Sequence, residues 1–262
     1  MKRTKKLIAT LFTTLLACLC VLFSGCQFNL LPSSSSSDAN AVTLPPSSSS
    51  DANTVAGIYK VKTVSSARGE TTQEVHVGET VDGITLTEDF MKIILSEDGF
   101  VVLHFQESFG KGTWSQLEEG KIVIYDEYTS QEIALAYDSS TITFQPMEGL
   151  KVVLEKKAVT PSATQEQAMG CYQLKNIIKA NGETFEISAN INHQYDWSFI
   201  ITEDGCGYFF ESYNGFLCNL APAENGKLSI SVALGETDVL VGEFDGTKIT
   251  ATLDGRTYVF EK

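Results

Sequence analysis

Positive charge is scarce in this chain: 19 lysines and arginines stand against 33 acidic residues in 262 positions. Four of the basic residues, Lys2, Arg3, Lys5 and Lys6, lie at the very start. Beyond residue 25 the balance is therefore 15 against 33, a net charge of −18. That argues against nucleic acid or anionic headgroups as partners, because both reward clustered Lys and Arg. A cationic partner or divalent ions would be favoured, and a solvated acidic surface also keeps an exported protein soluble. Histidine is scarcer still. His76, His104 and His193 have no metal-ligand spacing, and a zinc site needs three or four convergent ligands.

Other signatures are missing as well. There is no G-x-S-x-G nucleophile elbow and no D-x-[DN]-x-[DN]-G calcium loop. Gly205-Cys206-Gly207 does not precede a helix, so a nucleotide-binding reading fails on context. Glu118-Glu119, Asp126-Glu127 and Glu203-Asp204 read as solvated turn residues. No catalytic, cofactor-binding or metal-binding residue is nominated, and an enzyme is not expected. Helical periodicity is almost absent.

What is present begins with a leader. Its cationic head is followed by an apolar run from Leu7 to Phe23 and small residues before a cysteine, the pattern of a secretory signal. Leu22–Cys26, LFSGC, resembles the lipobox of bacterial lipoproteins, with Phe23 where leucine is usual. The resemblance implies that residues 1–25 are removed and that Cys26 carries diacylglycerol, tethering the chain to the outer face of the cell membrane. Two fatty chains suffice for stable attachment. An uncleaved N-terminal anchor helix is the alternative.

Residues 26–55 read as a stalk. LPSSSSSDAN and LPPSSSSDAN recur thirteen residues apart, and such Ser/Pro runs cannot bury enough surface to fold. As a flexible coil, the segment from Gln27 to Val55 spans on the order of 30 Å. A second break, residues 158–169, centres on Pro161.

Between and after these breaks the chain is written twice, as residues 56–157 and 170–262. Gly57, Tyr59 and Gly69-Glu70-Thr71 match Gly170, Tyr172 and Gly182-Glu183-Thr184 at an offset of 113. From LSEDG (Leu95–Gly99) against ITEDG (Ile201–Gly205) the offset is 106, leaving one loop longer in the first copy. Met91, Ile93 and Leu95 alternate with Lys92, Ile94 and Ser96, and Trp197, Phe199 and Ile201 do the same in the second copy. That period of two predicts strands with one face on a core. Turn residues at Glu97-Asp98-Gly99, Asn214-Gly215 and Asp254-Gly255 separate the strands. The expected fold class is all-β, with two tandem antiparallel β-barrels, since closure removes unpaired edges. A two-sheet sandwich is the alternative. Thr72–Glu88 could hold a short helix.

The G-x-Y start, the E-D-G turns, Gly112–Trp114 (GTW) and the terminal VLEK and VFEK resemble the lipocalin-like small barrels of Gram-positive lipoproteins. Leu220 stands where the second copy would need the tryptophan. The resemblance implies a barrel and an extracytoplasmic address, and it carries no catalytic residues.

Three thiols remain beyond Cys26: Cys171, Cys206 and Cys218. A Cys206–Cys218 bridge stays open, although a turn at Asn214-Gly215 would set Cys206 opposite Ala223. Among Tyr195, Trp197, Tyr208, Phe209, Phe210, Tyr213 and Phe216, the alternating members are expected in the core and Tyr213 at the surface. The function expected is a membrane-anchored binding or interaction module without a cofactor. Its partner would be a small apolar ligand at a barrel mouth or an envelope protein, with avidity from the two copies. An envelope-acting enzyme or inhibitor-like module, or a ligand-free spacer, are the alternatives.

Overall fold

The computed structural model describes residues 55–68, 71–81, 84–126, 130–138, 140–187, 196–212, 214–224, 227–235 and 238–262. The leader, Cys26 and the stalk up to residue 54 lie outside the described residues, as do His193, Tyr195 and Tyr213.

The first copy is an antiparallel meander in its later strands, with a small separate hairpin inserted early. Its strands are β1 (Gly57–Arg68), β2 (Thr71–His76), β3 (Thr80–Val81), β4 (Ile84–Thr85), β5 (Met91–Leu95), β6 (Phe100–Phe105), β7 (Ser108–Glu118), β8 (Lys121–Asp126), β9 (Gln131–Asp138), β10 (Thr141–Met147) and β11 (Leu150–Lys157). Strands β5 to β11 run antiparallel in order, and β11 returns to pair with β1, closing an eight-stranded barrel. The segment expected to hold a short helix instead carries β2, the small β3–β4 hairpin and a single 3₁₀ turn at Glu88–Phe90.

The second copy repeats the plan with β12 (Gly170–Ile178), β13 (Thr184–Glu186), β14 (Trp197–Ile201), β15 (Gly207–Glu211), β16 (Asn214–Pro222), β17 (Leu228–Ala233), β18 (Val239–Phe244), β19 (Lys248–Leu253) and β20 (Arg256–Glu261). Its barrel closes where β12 pairs with β20. The long first strand is bent by a register shift at the same place in each copy, between Val61 and Thr63 and between Leu174 and Asn176. The bend lets β1 pass its edge from β5 to β2, and β12 pass its edge from β14 to β13.

The repeated G-x-Y has a physical cause. Tyr59 and Tyr172 are fully buried, and their hydroxyls donate to the carbonyls of Val55 (2.6 Å) and Ala168 (2.9 Å). The ammonium of Lys156 lies 6.0 Å from the Tyr59 ring and that of Lys262 lies 5.2 Å from the Tyr172 ring. The stem of each lysine crosses the glycine two residues earlier. A Cβ on Gly57 would meet Lys156 Cε at 2.5 Å, and one on Gly170 would meet Lys262 Cε at 2.8 Å. Both glycines also have positive φ, +142° and +134°.

Each barrel has its own core. The first is largely aliphatic, around Val61, Ile93, Ile122 and Leu154. The second is aromatic: Phe199 lies 4.8 Å from both Phe209 and Phe260, centroid to centroid. Burying each such side chain contributes roughly 1.5–3 kcal/mol. The connection between the barrels holds helix α1 (Ala163–Ala168), started by a capping box in which Ser162 Oγ accepts from the Gln165 N–H and Gln165 Oε1 from the Ser162 N–H. The helix delivers Ala168 to the end of the second core, the place Val55 takes in the first.

Candidate functional site

The outward faces of β5–β7 and β14–β16 are packed against each other. Ile58, Ile94 and Val102 from the first barrel meet Ile200, Tyr208 and Phe210 from the second in a third buried cluster. The alternation rule put Ile94 outside, and it does point away from its own core. It is 4 % exposed because the other barrel covers it.

The two copies present the same patch to each other. Ile94 and Ile200 are equivalent at the 106 offset, as are Val102 and Tyr208, while Ile58 and Cys171 are equivalent at 113. Phe109 packs onto its own equivalent, Gly215: a Cβ there would lie 2.6 Å from Phe109 Cβ and 2.8 Å from its carbonyl oxygen. Contact between equivalent residues is the signature of a two-fold, isologous joint. Here it forms within one chain.

Polar groups within the joint are matched. Lys92 donates to Asp204 Oδ2 at 2.8 Å, with side-chain exposures of only 4 % and 10 %. Asp204 Oδ1 accepts from the Thr202 hydroxyl (2.6 Å) and the Cys206 N–H (3.3 Å). Burial pulls the Lys92 ammonium down, but the Asp204 bond and charge outweigh it and hold the pKa above its ordinary value. For Asp204 burial pushes upward, and the bonds from Lys92 and Thr202 prevail and hold it below the usual carboxylate range. Lys111 reaches Asp196 at 3.0 and 3.1 Å and Ser198 at 3.5 Å. His104 donates from Nε2 to the Gln106 carbonyl (2.9 Å), which leaves Nδ1 to accept from the Tyr208 hydroxyl at 3.3 Å. Burial, then the Lys92 charge, lowers the His104 pKa.

Beside this joint lies a cleft of about 150 Å³ shared by both barrels. Ile94, Val102 and Ile200 line its apolar part, and the equivalent turns that follow β5 and β14 supply Glu97, Asp98 and Glu203.

The remaining candidates fall elsewhere. His76 is exposed and far in sequence from His104, and among the described residues no three His, Cys, Asp or Glu side chains gather as a metal site. Asp126 is buried at the end of β8, while Glu118 and Glu119 are exposed. Trp197, Phe209 and Phe216 join the second core as alternation requires, whereas Tyr208 and Phe210 belong to the joint. The expected turn at Asn214-Gly215 is corrected. Asn214 pairs with Glu211, so it already lies in the returning strand, and Gly207 stands opposite Cys218. No disulfide joins Cys171, Cys206 and Cys218. Burial raises the thiol pKa of Cys218, and burial followed by the Asp204 charge raises that of Cys206, so neither is poised as a nucleophile.

Fold and joint together define a class: a tandem pair of closed eight-stranded antiparallel barrels fused face to face. No protein family, curated protein or solved structure matches the chain.

Proposed function

We propose that this chain is an extracytoplasmic lipoprotein of the lipocalin-like small-barrel kind, held to the membrane by a lipid on Cys26. Its fused barrels serve as one binding body rather than as an enzyme. The observation that carries the binding reading is where the space lies. Each barrel interior holds its own cluster of buried side chains, while the shared cleft belongs to neither barrel alone. A partner meets one compound surface, because the patches the copies have in common are spent on each other. The lipid anchor rests on the lipobox resemblance and on the Ser/Pro stalk that follows it.

The test is detergent partition of the full chain made in a lipid-modifying bacterial host, with mass spectrometry of the mature N-terminus. The wild type is expected in the detergent phase with an acylated Cys26, and Cys26→Ala in the aqueous phase or bound only through an uncleaved leader. A Cys26→Ala chain that is cleaved normally yet still partitions with detergent would overturn the anchor.

A further inference from the structure

The cleft between the barrels is apolar at its floor and anionic at its rim. Ile94, Val102 and Ile200 form the floor, and no lysine, arginine or histidine lines it. Glu97 and Glu203 are equivalents at the 106 offset, so the pseudo-two-fold places one carboxylate from each copy at the same opening, with Asp98 beside them. Elsewhere in the joint each carboxylate has its cation: Asp204 has Lys92 and Asp196 has Lys111. Among the described residues Glu97, Asp98 and Glu203 have no ion pair, although Lys262 stands nearby on the Met169 carbonyl at 2.6 Å.

We propose that this cleft binds a small organic ammonium cation, its apolar body on the isoleucine floor and its –NH₃⁺ between Glu97 and Glu203. An apolar cavity of about 150 Å³ accepts a group the size of benzene, which sets the size of that body. The uncompensated rim selects a cation over a neutral or anionic isostere, and the net charge of the chain attracts cations to the surface at large. The inference rests on the paired barrels acting as one binding body, since each barrel supplies half the site. Occupancy therefore stabilises the joint through linkage.

The test is titration of the full chain in non-ionic detergent with 2-phenylethylammonium, 2-phenylethanol and 3-phenylpropionate, followed by calorimetry and by isoleucine methyl NMR. The ammonium is expected to saturate, to shift the Ile94 and Ile200 signals, and to weaken as salt is raised. Glu97→Gln with Glu203→Gln removes two exposed ion pairs and is expected to weaken binding about 2- to 30-fold with an unchanged circular dichroism spectrum. Equal binding of the neutral isostere, unchanged binding by the double variant, or shifts confined to other isoleucines would overturn the proposal. So would tighter binding of Nα-acetyl-lysine methylamide, which would assign the cleft to a lysine of a protein partner. If no probe binds while the two barrels still unfold together, the ligand fails and the fused body stands.

Discussion

Replacing Lys92 by methionine removes one ammonium from the joint and nothing from either core. The pair it breaks is 2.8 Å long and almost wholly desolvated. Asp204 would keep the Thr202 hydroxyl and the Cys206 N–H, but no positive charge. Leaving one member of a buried pair unpartnered costs about 3–5 kcal/mol. The expected cost sits at the low end, about 3 kcal/mol, because the slight exposure of Asp204 admits water. There is also a ceiling: once the penalty exceeds what the joint contributes, the barrels separate and the carboxylate is hydrated. Each barrel carries one tryptophan, Trp114 in the first and Trp197 in the second, so Trp114→Phe and Trp197→Phe backgrounds report the barrels one at a time during urea unfolding. The wild type should give coincident transitions, and Lys92→Met should shift them apart. Lys92→Met with Asp204→Asn keeps the hydrogen-bond acceptor without its charge and should recover to within about 1 kcal/mol of wild type. A single variant costing less than about 1 kcal/mol, or a double variant as weak as the single, would refute the claim that this pair holds the joint.

The remaining predictions concern pH, shape and the buried tyrosines. His104 has a lowered pKa in the joint, so below about 6.5 the separated barrels take up a proton that the joined form resists, and the joint weakens as pH falls. His104→Gln should flatten the Trp114 and Trp197 unfolding midpoints between pH 7 and 5.5; an unchanged slope would rule this out. At lower pH the Asp204 contribution, present above the ordinary carboxylate pKa, is lost as pH falls through its depressed folded value. The Lys92 contribution is lost only as pH rises past its elevated one. Gly215→Ala places a methyl against the Phe109 backbone and should cost about 1–3 kcal/mol in coupling while the isolated strand pairing of β16 persists; coincident, unshifted transitions would contradict it. Tyr59→Phe and Tyr172→Phe each strip a buried carbonyl of its donor and should destabilise their own barrels alike, by about 1–3 kcal/mol in denaturant titrations, with a loss below about 0.5 kcal/mol in either counting against a stabilising role for these hydrogen bonds.

Alternation made the inward face of each barrel legible, because a buried strand face has to repeat every second residue. The duplication showed that whatever one copy builds, the other builds. The joint was harder to read. Its signal was present as a defect in the alternation: Ile94 and Ile200 are apolar where the pattern calls for polar residues, and Tyr208 and Phe210 flank Phe209 without a break. A doubly apolar strand says that both faces are covered, and only the packed fold says by what. The Lys92–Asp204 pair spans 112 positions and crosses between copies, so no local period announces it. The register of β15 and β16 was misread because Asn-Gly is the stronger turn dipeptide, yet the chain turns two residues earlier, where Ser212 takes φ of +54°.

Where the copies differ, the differences explain why the joint forms within one chain. Residues on a two-fold axis meet their own equivalents, so two first barrels facing each other would bring Phe109 against Phe109. Two second barrels would leave Gly215 against Gly215, a hole where the observed joint has a ring. Only the mixed pair sets a knob against a gap. The charges add to this bias: Ser198 occupies the place of Lys92 in the second copy, so a pair of second barrels would bury two Asp204 carboxylates with no ammonium between them. A surface inherited twice is sticky toward every copy of itself. Divergence at these positions turns that liability into a preference for the neighbour on the same chain.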